Sequence, residues 1–286
     1  MENTSPIVSA NPLLKYFRQP AIYIKLPSGG KYWADNSVEL PVTGEIPVYP
    51  MTTRDEITLR TPDALMNGTS VVEVVQSCCP NIKNAWEMPS MDTDTVLISI
   101  RIASYGHEMA IDTNCPHCNE ENNNVVDLRN VLGSIVPADY TSKVQSHNLQ
   151  FKLRPQAFIG VNRQNQISFE EQKILEAFQD DGIDKEIKAN QIKRSMSNLI
   201  EIGTDTVTDS TEYIELEDGT RVTNPDHIRE FYKNSNSVVL KEIQAALVTI
   251  NQTSAIKPQK VKCNSCTKDY EVPLEFDYAN FFAKGS

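Results

Sequence analysis

Two stretches decide how this chain is read: Cys115-Pro116-His117-Cys118 and Cys263-Asn264-Ser265-Cys266. Two residues between cysteines allow a tight turn that aims both thiolates at one tetrahedral ion, and each pair supplies two ligands of four. Cys115, Cys118, Cys263 and Cys266 together complete one closed four-cysteine site, so they are the candidate ligands and one structural zinc per chain is the expected cofactor. After the first pair comes Val125-Val126-Asp127-Leu128, and after the second Tyr270, Val272 and Leu274, so both read as knuckles between the strands of a zinc ribbon. The spacing departs from a compact ribbon. Residues 119–262 separate the pairs, where about one or two dozen would suffice, so a single site requires the intervening segment to be an insertion. Three other readings compete. Each pair is a redox centre, although neither opens a helix in a clear βαβ unit; each pair is incidental; or two separate sites are completed by histidines, with His107 and His117 nearest.

Composition narrows the function classes. Asp plus Glu number 38 against 27 Lys plus Arg, a formal charge of -11, which argues against a binder of the nucleic-acid backbone. No run approaches the roughly 18 apolar residues of a membrane span. Met1 to Asn11 is polar and lacks a basic segment followed by an apolar one, so no secretory signal is visible. A reducing compartment is expected, and there paired cysteines are more often metal ligands or redox groups than disulfides. Cys78 and Cys79 close an apolar helical run and read as small buried packing residues.

The fold class read from the pattern is α+β: a β-rich N-terminal region and a split zinc ribbon, with a mainly helical inserted domain. Residues 1–20 form an extended arm, 21–139 with 257–286 the ribbon-bearing domain, and 140–256 the insertion, which includes a β-hairpin. Ile22, Ile24 and Leu26 alternate with Tyr23 and Lys25 as a strand, and Ser28-Gly29-Gly30 marks a turn. Short strands are expected at Val38–Leu40, Ile46–Tyr49 and Glu56–Arg60, the prolines between them pointing to edge positions. Thr61-Pro62-Asp63 signals a helix start and Thr69 caps a second helix to Cys78. Residues 93–104 fit both periods, and Asp92 as a cap favours the helix. Further on, Leu149, Phe151 and Leu153 alternate as a strand. Ser168-Phe169-Glu170-Glu171 reads as a capping box, Asp218-Gly219 as a two-residue hairpin turn, and Asn224 and Ser237 as helix starts.

Few other residues suggest chemistry. Gly29-Gly30-Lys31 lacks the frame of a phosphate loop, and the four histidines show no nucleophile–base pairing. Asp180, Asp181 and Asp184 lack the spacing of a calcium loop and read as solvated. Two segments are docking candidates because aromatic residues are enriched in interface cores: Leu13, Leu14, Tyr16 and Phe17 in the arm, and Tyr278, Phe281 and Phe282 after the second knuckle. For the arm, fraying is the alternative; for the terminal aromatics, a short helix packed on the ribbon.

The run Leu26-Pro27-Ser28-Gly29-Gly30-Lys31-Tyr32-Trp33, then EIPVYPMTTRDE at 45–56 and PDALMNG at 62–68, resembles the baseplate hub protein family of T-even-type contractile-tailed phages. The first knuckle, preceded by IRIASYG at 100–106, and the terminal knuckle followed by Phe281-Phe282 are similar to the same family. The similarity covers about residues 20–130 and 255–284. It implies a non-enzymatic structural or assembly protein of the tail baseplate hub. Other baseplate or tail proteins would be its partners, and a second copy of the chain is a further candidate. It would be made in the host cytoplasm and located in the virion tail if retained; an assembly chaperone that leaves before maturity is the alternative. The four cysteines carry over as zinc ligands, and no catalytic residue does. Two rivals from other classes stand beside it. A zinc-ribbon nucleic-acid or transcription-associated protein would rest on Lys257, Lys260, Lys262 and Lys268, and an enzyme would use the cysteines for thiol redox chemistry or metal hydrolysis.

Overall fold

A computed structural model describes residues 12–61, 68–177, 185–274 and 281–282. The helix expected from Thr61-Pro62-Asp63, the acids Asp180, Asp181 and Asp184, Tyr278 and the side chain of Leu14 lie outside the described residues. The described residues form an α+β fold, with eight α-helices and several small antiparallel sheets.

Strands β1 (Ile22–Lys25) and β2 (Glu45–Val48) form a two-stranded ribbon that sets Ile24 opposite Ile46, both buried. Pro47 is tolerated because β2 has only one neighbour. The N-terminal region is less β-rich than its prolines suggest. Val38 makes only an isolated bridge to Ile82, and the strand expected over Glu56–Arg60 is instead helix α1 (Thr53–Leu59). The cause is a reciprocal cap: the Thr52 hydroxyl accepts the Asp55 N–H, while the Asp55 carboxylate accepts the Thr52 N–H at 2.7 Å. Helix α2 (Thr69–Cys78) starts after Gly68, whose φ of 76° makes glycine, not Thr69, its cap residue.

Helix α3 (Ser90–Tyr105) is the spine of the first core and is buried around almost its whole circumference from Met91 to Arg101. That is why its apolar residues fit two periods in the sequence: no solvated face fixes the phase. Asp92 does not cap it. Its buried carboxylate accepts the Ser28 N–H (2.7 Å), the Ser28 hydroxyl (2.5 Å) and the Trp33 indole N–H (2.9 Å), tying the loop after β1 to the helix. Around α3 pack Ile24, Ile46, Val71, Val75, Leu128 and the distant Phe281 and Phe282.

Strands β3 (Glu108–Asn114) and β4 (Glu121–Asp127) pair antiparallel and lead into α4 (Leu128–Ser134). A four-stranded antiparallel sheet comes next, in the order β5 (Lys143–Ser146), β6 (Leu149–Leu153), β7 (Thr211–Glu215), β8 (Arg221–Val222). Between β6 and β7 run α5 (Phe158–Ala177) and α6 (Lys185–Asp209), and after β8 come α7 (Pro225–Asn234) and α8 (Ser237–Ser254). Their shared core holds Tyr140, Phe151, Leu153, Ile214, Tyr232 and Ile243. Ser168 is no helix start, because α5 is already helical from Phe158. The β7–β8 connection is wider than a two-residue turn: Leu216 donates to the Thr220 carbonyl across it, and Gly219 takes φ 83°. The chain returns through β9 (Gln259–Lys262) and β10 (Asp269–Val272), an antiparallel pair. No helix among the described residues is long and apolar enough to cross a membrane.

Candidate metal centre

Each knuckle begins where a strand ends, and both use the same local chemistry. In the first, Cys115 N–H donates to Glu120 O and Asn119 N–H to Cys115 O; in the second, Cys263 N–H donates to Lys268 O and Thr267 N–H to Cys263 O. Both turns close through a left-handed residue, Asn119 at φ 57° and Thr267 at φ 60°. The turns point backbone N–H groups at sulfur: His117 N lies 3.4 Å from Cys115 Sγ, and Cys266 N 3.4 Å from Cys263 Sγ.

The four Sγ atoms of Cys115, Cys118, Cys263 and Cys266 all lie within 4.8 Å of one another. Across the knuckles Cys115 Sγ and Cys266 Sγ are 3.7 Å apart, and Cys118 Sγ and Cys263 Sγ 3.6 Å. A tetrahedron with metal–sulfur bonds of about 2.3 Å has edges of roughly 3.8 Å, so the residues fit one four-thiolate ion. These separations are far beyond a disulfide bond of about 2.05 Å. Four sulfurs drawn from two segments satisfy a tetrahedral ion without a histidine. His117 is exposed between two of them, and neither it nor His107 joins the cluster.

Electrostatics within the cluster is uneven. The Cys263 thiol is lowered to about 6, first because its sulfur accepts the Cys266 N–H, with further help from Ser265 N–H and the facing sulfurs. The largest single influence on Cys118, its hydrogen bond with the Glu120 backbone, favours the thiolate; burial and the three neighbouring thiols together outweigh it and push the group up to about 12. Four thiolates this close repel one another, and a bound cation is what lets all four ionise.

Residues that the cysteine spacing does not reveal join the two halves. Asn122, buried in β4, accepts the Asn264 N–H at 2.8 Å, donates to Glu120 O at 2.9 Å and reaches Cys263 Sγ at 3.5 Å, so one amide touches both knuckles. On the next strand pair, the Tyr270 hydroxyl lies 2.7 Å from Thr113 Oγ1 and accepts Asn124 Nδ2–H at 3.1 Å. The only sequence trace of these contacts is the asparagine run 122–124 in a strand, where asparagine is disfavoured.

The other candidates separate by burial. Cys78 and Cys79 are both buried, and burial pushes Cys78 up to about 12 and Cys79 higher still, which leaves them protonated and inert. In the arm Leu13, Tyr16 and Phe17 are exposed. Arg18 anchors the base of the arm, donating to Pro50 O, Asp55 Oδ2 and Ser77 O. Phe281 and Phe282 are not on the surface: both are buried in the first core, where the Arg101 guanidinium donates to Phe281 O and stacks over its ring. Their apolar area packs within the chain rather than facing a partner.

No curated protein and no solved structure matches the chain. A family model described as T4 bacteriophage base plate protein matches residues 20–283, spanning both knuckles and everything between them. With both cysteine pairs inside that match, the chain belongs to the T4 bacteriophage base plate protein family.

Proposed function

We propose that this protein is a non-enzymatic structural or assembly component of the baseplate hub, acting through contacts with other tail proteins and held together by one structural zinc. The carrying observation is the closed four-sulfur cluster made from two widely separated stretches of the family-matched region. Four thiolates leave no open position for water or substrate, so a metal there serves architecture rather than Lewis-acid hydrolysis. The domain reading that goes with this makes 21–139 with 257–286 the ribbon-bearing unit and 140–256 an insertion between the two cysteine pairs. The chain is made in the host cytoplasm and acts during tail assembly there.

Two measurements test this. Elemental analysis of purified protein is expected to give one zinc per chain, and fully folded metal-free protein contradicts the structural role. Immunodetection in infected lysate and in purified virions separates the two forms of the assembly reading. Signal in both identifies a retained subunit, signal in lysate alone identifies a chaperone, and co-fractionation with no tail protein in either rejects both.

A further inference from the structure

A cavity of about 300 Å³ opens where the first turns of α3, the β6–α5 connection and the end of α8 meet. That is the low end of the size range of small-ligand sites, roughly 300–1,000 Å³. Met91, Ile135 and Val161 give it aliphatic walls. Asp94 is the one charged side chain among its lining residues. Half-buried, it makes no hydrogen bond or ion pair among the described residues, and burial alone raises its pKa. A carboxylate withdrawn from water and facing no cation is a cost that folding alone does not offset.

We propose that this cavity is a socket for one lysine side chain presented by a partner protein of the baseplate. A lysine places its four-carbon stem along the aliphatic walls and its ammonium on the single carboxylate. Arginine fits less well, since no aromatic ring lines the cavity for stacking and one carboxylate edge is all it meets. The position gives the contact a consequence. Ile135 precedes the helical segment and Ser254 ends it, so an occupant touches both sides of the junction between the two apolar cores. The proposal rests on baseplate membership and not on the zinc, so its failure leaves the metal reading untouched.

The test is a titration of the full metal-loaded chain, followed by amide chemical shifts, with n-butylammonium chloride as probe and n-butanol as its neutral match. Saturable shifts are expected at Ser90–Asp94 and Asn251–Ala255, at least tenfold weaker for butanol. Asp94→Asn is expected to weaken n-butylammonium at least tenfold while the protein stays folded by circular dichroism. Ala255→Leu, which narrows the cavity and leaves the carboxylate, is expected to do the same. Equal response to butanol, no response, or unchanged affinity in both variants overturns the socket. In assembling baseplates, carbodiimide, which joins a carboxylate to an amine, is expected to link Asp94 to a lysine of another baseplate protein. Recovery of Asp94 unlinked while surface carboxylates crosslink overturns the partner.

Discussion

Among the described residues, the returning C-terminal segment meets the rest of the chain at the ribbon and again at α3, and the two contacts are of different physical kinds. At the ribbon, the buried cluster consists of Cys115, Cys263 and Tyr270, with Val261, Cys266 and Val272 packed beside it. So little apolar surface, at about 25 cal/mol per Å², does not offset the entropy of ordering two strands and two turns. At α3, by contrast, Phe281 and Phe282 enter a large continuous apolar core. If the ribbon holds its proposed ion, the first attachment depends on that ion and the second on packing, so they should fail under different treatments.

The largest separation comes from the metal. Cys263→Ser, or chelation of wild type, is expected to remove on the order of 10 kcal/mol of metal-binding free energy. Hydrogen exchange should then show β9 and β10 amides losing protection while Val71–Cys78 and Val96–Ile100 keep theirs; concerted loss in both would erase the distinction. Phe281→Ala is the converse, expected to cost about 3 kcal/mol by a cavity in the core and to leave zinc stoichiometry at one per chain. Asp92→Ala acts on the same core through polarity. It strands the Ser28 N–H, the Ser28 hydroxyl and the Trp33 N–H without their acceptor, and denaturant unfolding should show a loss of about 2–3 kcal/mol with metal content unchanged.

Smaller effects sharpen the comparison. Asp94 has its pKa raised by burial, so its ionisation opposes folding. The folded state binds that proton more tightly than the unfolded chain. The stability loss therefore sets in as pH rises from the ordinary carboxylate pKa through the raised one, and is complete above it. Asp94→Asn should melt higher than wild type at pH 7, with the advantage vanishing as pH falls below about 4. The smallest change is in the second knuckle, where a β-branched residue occupies the left-handed position that Asn119 fills in the first. Thr267→Asn makes the two turns alike and should stabilise the ribbon by about 0.5–1 kcal/mol, read as slower zinc release to a chelator.

How much of this is legible in the sequence depends on the range of each interaction. The knuckles are legible because their geometry is set within four residues, and the four-sulfur site comes from counting ligands. Helix α1 escapes a sequence reading because Asp55 closes its cap where Glu or Gln is the stronger signature, and the false box at Ser168 arises because a short motif says nothing about a helix already under way. Asp92 attracts notice for a local job, a cap, and does a distant one. Asn122, and the burial of Phe281 against Arg101, depend on segments far apart in the sequence and leave almost no local trace.

The distance between the two knuckles also bears on synthesis. Cys118 and Cys263 are 145 residues apart. At about 5–20 residues per second on the ribosome, the first half-site waits roughly 7–30 s for its complement. A chain that stops early never acquires the second pair of thiolates. If the four sulfurs share one ion, the ribbon closes only after Cys266 has been made, and the segment between the knuckles has that interval in which to fold first.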